Sequence, residues 1–484
     1  MKPFSDFRRK SNCTSLIIII LFLFNSAGLA YASFTIEDEK KLGKEFYEKL
    51  EKSHVLIEDQ KVNAYINKLG QKILAQTQNA PFDFKFSVIK SSAINAFATP
   101  GGYVYVNSGL INLVDKESEL AGILGHEIGH VKARHVADII EKSQKLNIAT
   151  LAAVLAGAFL GGGGDVTAAV MGFSLATATS LNLKYSREHE EDADRRGLTA
   201  LINAGYDGTA MIDFLKKMRR YEFYSNSIPS YFLTHPGTDE RIRYLDAVLQ
   251  TTHVKKGADS IIGNLKRIQS ILMLGEKNLE ASLNYFQNEL KKDTNDADAL
   301  YGLAVTQDRL GQTSESLAYF RRALNTLPDD EDILRDLGIL YFKLGQTSYA
   351  IQYLRKAFSI NQENSETLLY LGRSYESVGD YESALELYKK FDIKNNDDAD
   401  IYYNLAMAYG KTNNQGASHY NFGIYFKKKK KIESATFHFK EALKYFPEQS
   451  ERFRDIENEI KSLTPDKNKK RVGSANHDRG NIPH

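Results

Sequence analysis

The 484-residue chain has a single cysteine, almost no net charge, and no interior apolar run that would span a bilayer. Each absence excludes something. Cys13 alone forms no intrachain disulfide, and it precedes the first apolar stretch instead of standing at a lipid-attachment position. Against 63 Lys and Arg stand 61 Asp and Glu, so no global field draws nucleic acid or a strongly anionic surface, and no nucleic-acid partner is expected. The Ala-rich apolar stretches between Asn147 and Leu183 each fall short of the roughly 20 residues a membrane helix needs. The length itself exceeds one ordinary core, so two or three domains are expected.

At the N-terminus, Lys2, Arg8, Arg9 and Lys10 precede the apolar run Leu16 to Phe24 and then Ala30-Tyr31-Ala32. That order predicts a secretory signal over residues 1–32, cleaved after Ala32; an uncleaved anchor is the alternative. Either places the chain outside the cytoplasm. The mature part would contain no thiol, leaving its stability to cores and a metal.

From Ile36 to about Gly70 the apolar positions recur at helical spacing. Phe82 to Val88 alternates like a strand, and Asn95-Ala96-Phe97-Ala98 turns at Pro100-Gly101-Gly102 to return as Tyr103 to Val106, a hairpin. Asp115 is placed to cap the next helix, with Glu117 and Glu119 in its first turn. The apolar stretches after Asn147 flank Gly161 to Asp165 and predict a helical hairpin with a flexible tip. Its arms read as core helices, or alternatively as a movable lid or a flap making peripheral membrane contact.

Further on, Leu337-Gly338, Tyr341, Gly345 and Ala350 recur 34 residues later as Leu371-Gly372, Tyr375, Gly379 and Ala384. This is the tetratricopeptide pattern of paired helices that share their cores with neighbouring pairs. The array is expected over 265–463, with its frame broken after Tyr409, where Phe422-Gly423, Ala435 and Ala442 fit a unit displaced by an extra half. Lys427 to Lys431 reads as an exposed turn between repeat helices, and 464–484 as a disordered tail.

The chemistry concentrates at His126-Glu127-Ile128-Gly129-His130. Histidines four apart on one helix project from the same face and reach one tetrahedral ion, and Glu127 beside them can take a proton from a bound water. Gly125 and Gly129 weaken the helix, which suggests that another element approaches closely. A metzincin site would need Gly at 133 and His at 136, where this chain has Ala133 and Val136, so His135 reads as an ordinary helix-surface histidine. The third ligand is sought in Glu188 to Asp194: Glu190 for the metal, and Asp194, on the same face, accepting a hydrogen bond from a ligand histidine. One Zn2+ per chain is expected, although a His-His-Glu set also accepts neighbouring divalent metals.

With Thr234-His235-Pro236 and Arg241 added, these residues resemble the zinc metallopeptidases that include the heat-shock protease HtpX and the CAAX prenyl protease, and within them the periplasmic, repeat-bearing members. The resemblance implies a fold that is mainly α with a small β-sheet: an α+β zincin-like metallopeptidase domain over 33–255, then an all-α tetratricopeptide-repeat solenoid. It implies His126, His130 and Glu190 as zinc ligands, Glu127 as general acid and base, Asp194 in support of the ligands, and His235 and Arg241 among the catalytic residues. His235 would either occupy the open coordination position in a latent state or stabilise the oxyanion. Asn95, Ala96 and Phe97 look like the family's substrate strand, onto which an extended peptide adds by backbone hydrogen bonds. The implied function is a periplasmic endopeptidase for misfolded or misassembled envelope proteins, its repeats recruiting substrates or an outer-membrane assembly machine. The alternative is a latent peptidase acting as a chaperone or scaffold. The long membrane helices of HtpX and the CAAX enzyme are missing here, so their membrane-embedded substrates do not transfer.

Overall fold

A computed structural model describes residues 34–142, 148–160, 184–224, 230–252, 256–394 and 398–463. The expected export signal, the polar tail, and the tip and second arm of the apolar hairpin lie outside these residues. Among the described residues no helix is long and apolar enough to cross a membrane. The chain divides into two compact units, Met1–Met273 and Leu274–His484. Helices dominate both, and the first adds one small sheet.

The first unit opens with two amphipathic helices, α1 (Ile36–Lys52) and α2 (Gln60–Leu74). A reciprocal capping box starts α1: Asp38 N donates to Thr35 Oγ1 at 3.1 Å and Thr35 N donates to Asp38 Oδ2 at 3.0 Å. Asp59 caps α2 by accepting from the backbone of Lys61 and Val62.

Strands β1 (Lys85–Ile89), β2 (Ala96–Thr99) and β3 (Tyr103–Asn107) form a sheet of order β1-β3-β2. β3 is central, parallel to β1 and antiparallel to β2, so β2 is an edge. The expected hairpin is present, with Asn95 just ahead of β2. Strand alternation sorts the side chains. Phe97 and Tyr105, paired across β2 and β3, join the core under α1, while Ala96, Ala98, Val104 and Val106 join the larger core on the other face.

After α3 (Ser108–Leu113) comes α4 (Glu117–Lys132), which carries the His-Glu-Ile-Gly-His segment across that larger core. Asp115 does not cap it. The N-cap is Lys116, without a side-chain cap, and Asp115 instead pairs with Lys217 at 2.7 Å. Glu117 turns inward: its carboxylate accepts from the backbone of Ile261, Ile262 and Gly263 and from the Tyr206 hydroxyl, tying the segment after 256 to the start of α4. The unit continues through α5 (His135–Lys142), α6 (Ile148–Leu160), α7 (Arg187–Asn203), α8 (Thr209–Tyr224), α9 (Ser230–Thr234), α10 (Thr238–Thr252) and α11 (Leu265–Leu274). The first arm of the apolar hairpin is α6, a core helix whose Phe159 stacks on Phe97 at 4.7 Å.

The second unit is a run of helical pairs: α12 (Leu279–Lys292), α13 (Ala297–Arg309), α14 (Thr313–Thr326), α15 (Glu331–Lys343), α16 (Thr347–Ile360), α17 (Ser365–Ser377), α18 (Tyr381–Lys394), α19 (Ala399–Lys411), α20 (Gln415–Lys428), α21 (Ile432–Leu443) and α22 (Glu451–Leu463). Small residues let paired helices touch. A Cβ on Gly338 would lie 2.6 Å from Leu354, and one on Gly372 2.5 Å from Tyr388. The displaced frame has a physical basis in α20, which serves two pairings. Ser418 Oγ on α20 donates to Ala406 O of α19, just as Ser316 does to Ala304 three repeats earlier, while Gly423 of α20 receives Phe439 of α21. The lysine run ends α20 and forms the turn after it, with Lys430 at φ 58° and Lys427 and Lys429 paired to Glu459 and Asp400.

Candidate metal centre

Two helices build the site by touching along their backbones. A Cβ on Gly129 would lie 2.9 Å from Ala193 O, one on Gly125 3.1 Å from Gly197 O, and one on Gly197 2.7 Å from His126 N. This is the close approach that Gly125 and Gly129 suggested. It sets the ligand face of α4 directly against Glu190 and Asp194 of α7, whose start is capped by Ser186 accepting from His189 N. His235 follows α9, a short helix anchored where Tyr231 N and Ser230 Oγ donate to Ile94 O, next to the substrate-strand candidates.

The donor atoms converge. His126 Nε2 lies 2.9 Å from His130 Nε2, 3.3 Å from His235 Nδ1 and 3.5 Å from Glu190 Oε2. Glu190 Oε1 lies 3.3 Å from His130 Nε2 and 3.0 Å from His235 Nδ1. Zinc bonds of about 2.0–2.1 Å in a tetrahedron imply donors roughly 3.3 Å apart, so this set fits the ion. Ring nitrogens facing each other at such distances repel unless a proton or cation lies between them. The whole cluster is buried: His126, Glu127, His130, Glu190, Asp194 and His235 are each exposed by 1% or less.

Charges around the donors are arranged in layers. Asp194 Oδ1 meets His126 Nδ1 at 2.8 Å, which aims the opposite nitrogen at the centre. Arg241, from α10, donates to both oxygens of Asp194 and lies 2.7 Å from Glu190 Oε2. Burial alone would raise the two carboxyls, but Arg241 and His126, with His235 at Glu190, outweigh it and hold both below the ordinary range. Burial and the neighbouring His126 keep His130 well below the usual histidine value. His235 is shifted upward, because Glu190 and Glu127 outweigh its burial. Glu127 is pushed up by burial, against the pull of His235 and His126. Neither of its oxygens has a hydrogen-bond partner among the described residues, and His235 Nε2 lies 3.5 Å from Oε1.

All four expected metal-site residues of α4 and α7 thus meet, with His235 and Arg241 beside them. Asn95, Ala96 and Phe97 are buried at the sheet edge, where Asn95 Nδ2 donates to Phe159 O. His135 departs from its expectation: it is buried, not on the surface, and its Nδ1 lies 2.9 Å from Nδ1 of His130. The cause is Arg134, held at φ 57° by Glu39 and Phe34 O, which ends α4 and swings the chain back so that α5 begins with His135 against His130. Two tyrosines were also missed. Tyr185 stacks on His130 at 3.8 Å and Tyr231 on His235 at 4.4 Å, bracketing the cluster with rings that no spacing in the sequence marks.

Residues 57–249 match the family model of Peptidase family M48, and residues 266–403 that of the Psidin N-terminal TPR repeats region. Over 266 residues the chain is 32% identical to the putative beta-barrel assembly-enhancing protease of Vibrio cholerae, an alignment covering 54% of this chain and 55% of that one. It is 32% identical over 214 residues to the beta-barrel assembly-enhancing protease of Escherichia coli K12, covering 44% of each. With the mitochondrial metalloendopeptidase OMA1 of Schizosaccharomyces pombe it shares 26% identity, over 46% of this chain and 64% of that one. The chain spans about half the length of the beta-barrel assembly-enhancing proteases it matches.

Proposed function

We propose that this chain, which carries a peptidase family M48 domain followed by a tetratricopeptide-like helical region, is a zinc-dependent endopeptidase of the cell envelope. The observation that carries this reading is the convergence of His126 Nε2, His130 Nε2 and Glu190 beside the carboxylate of Glu127, whose oxygens have no hydrogen-bond partner among the described residues. Bound zinc would supply a water of lowered pKa and a Lewis acid for the scissile carbonyl. His126, His130 and Glu190 hold the ion, and Asp194 fixes the His126 tautomer. Glu127 accepts a proton and returns it to the leaving amine, and its burial raises its pKa, favouring the protonated form it must pass through. Arg241 keeps Glu190 and Asp194 ionised.

The substrates are extended segments of misfolded or misassembled envelope proteins, paired by their backbone to the edge strand β2, and the repeats recruit them or an outer-membrane assembly machine. The names of the relatives and the repeat region support this finer reading, as does the charged, apolar, small-residue order at the N-terminus, which favours export to the periplasm. His235 favours a latent state. Its Nδ1 stands among the donors in the position a water would need, and every ligand is buried. A chaperone or scaffold whose peptidase is held in this form is the second reading.

Zinc content and casein cleavage of the purified chain test both, comparing wild type, Glu127→Gln and His235→Ala. The reading requires about one zinc per chain and cleavage by wild type or His235→Ala that Glu127→Gln lacks while keeping its metal. Faster cleavage by His235→Ala identifies the latency ligand, slower cleavage an oxyanion group. Absence of zinc and cleavage in all three sinks the peptidase.

A further inference from the structure

We propose that His135 is a positioning residue for the metal ligand His130, fixing the tautomer and angle of that ring by accepting a hydrogen bond from its Nδ1–H. The inference rests on the zinc reading of the site. The two α4 ligands are supported differently. His126 has the carboxylate of Asp194 on its Nδ1, whereas His130 has no carboxylate there and meets His135 Nδ1 at 2.9 Å.

Two ring nitrogens at that separation share one proton. Coordination through Nε2 leaves the proton on His130 Nδ1, so His135 Nδ1 must be bare and its own proton must sit on Nε2, the nitrogen that faces Asp192 Oδ2 at 3.6 Å. Asp192 is itself held by Arg195 and Arg196. The His135 ring has little freedom: it stacks on His189 at 4.3 Å and 18°, and His189 Nε2 lies 3.1 Å from Asp138 Oδ2. The break at Arg134 places the ring, since a continued α4 would have carried residue 135 away from the face of His130.

The test is zinc affinity of the full chain, measured by competition with a chromophoric chelator, with helix content and zinc-free melting as folding controls. His135→Leu should bind zinc about 10–100-fold more weakly. His135→Asn, whose amide oxygen replaces Nδ1 as acceptor, should stay within about threefold of wild type. Affinity of a folded His135→Leu within about twofold of wild type, or an equal loss in both variants, overturns the role. Should His135→Leu fail to fold, His135→Asn decides: retention supports the assignment, and a tenfold or greater loss overturns it. Failure of the wild type to bind zinc overturns the metal reading itself, a result distinct from equal affinity in wild type and His135→Leu.

Discussion

Arg241 holds Asp194 by both carboxylate oxygens, Nε to Oδ2 at 2.8 Å and Nη2 to Oδ1 at 2.7 Å, with Nη1 left for Glu190 at 2.7 Å. The pair is buried, so it cannot be dissected cheaply. Removing the guanidinium leaves two carboxylates without their counter-charge, a loss on the order of 3–5 kcal/mol. Arg241→Met should therefore speed hydrogen exchange in α4 and α7 of the zinc-free chain, and Arg241→Lys should restore little, because an ammonium cannot copy the fork. The pH sign follows from the depressed carboxyls. Their contribution is complete above the unfolded values of about 3.9 and 4.3 and is lost only as pH falls through the lower folded values. These two carboxyls should thus add little pH dependence of their own between about pH 7 and 5; unaltered exchange in Arg241→Met at fixed pH would refute the structural role.

Gly197 marks the tightest point between α4 and α7. Its missing side chain admits His126 N at 2.7 Å and Gly125 C at 2.8 Å, and both are backbone atoms that cannot swing aside. Gly197→Ala should push the helices apart and cost about 1–3 kcal/mol, and because Glu190 and His126 lie on opposite sides of this contact, zinc affinity should fall with it. A melting and chelator-competition series would show both together. Normal affinity in Gly197→Ala would mean that the ligands do not depend on this packing.

Zinc should stabilise the first unit by removing the repulsion between His126 Nε2 and His130 Nε2, 2.9 Å apart. At free zinc about 100-fold above Kd the gain is about 2.7 kcal/mol, visible as a rise in melting temperature that a chelator reverses. His130 is held well below the usual histidine value by burial and by His126, so protons compete for it weakly. Zinc should stay bound at pH values where a solvent-exposed histidine is already protonated. Release on acidification near pH 6.5, the unperturbed value, would contradict that environment.

The parts of the site readable in sequence were those written in helical spacing: His126 with His130, and Glu190 with Asp194, fall on one face because four residues are close to one turn. Gly125 and Gly129 announced an unseen neighbour. The edge hairpin was legible from its turn at Pro100 to Gly102, and the half-unit shift in the repeats from Gly423 and Ala435. What stayed hidden depends on contacts distant in sequence. Arg134 breaks α4 with neither Gly nor Pro to mark it, because Glu39 and Phe34, some hundred residues earlier, hold its left-handed backbone. His135 was misplaced for that reason. Asp115 looked like a cap, yet Lys217 from another helix takes its carboxylate.

The second unit carries a pH response of its own. His438 on α21 lies with Nδ1 3.0 Å from His419 Nδ1 of α20, and its ring stacks on Phe426. Burial, then the charge of His419, lower its pKa. A histidine depressed in the folded state binds its proton more readily when unfolded. Its contribution to stability is therefore complete above the unfolded value of about 6.5 and is lost as pH falls through that value toward the folded one. Hydrogen exchange over 415–443 of the full chain should accelerate between about pH 7.5 and 5.5 beyond the intrinsic change in exchange chemistry. In His438→Gln the same segment should lose most of that excess, because no proton remains to be taken up there. An excess that survives in His438→Gln would assign the response to another group.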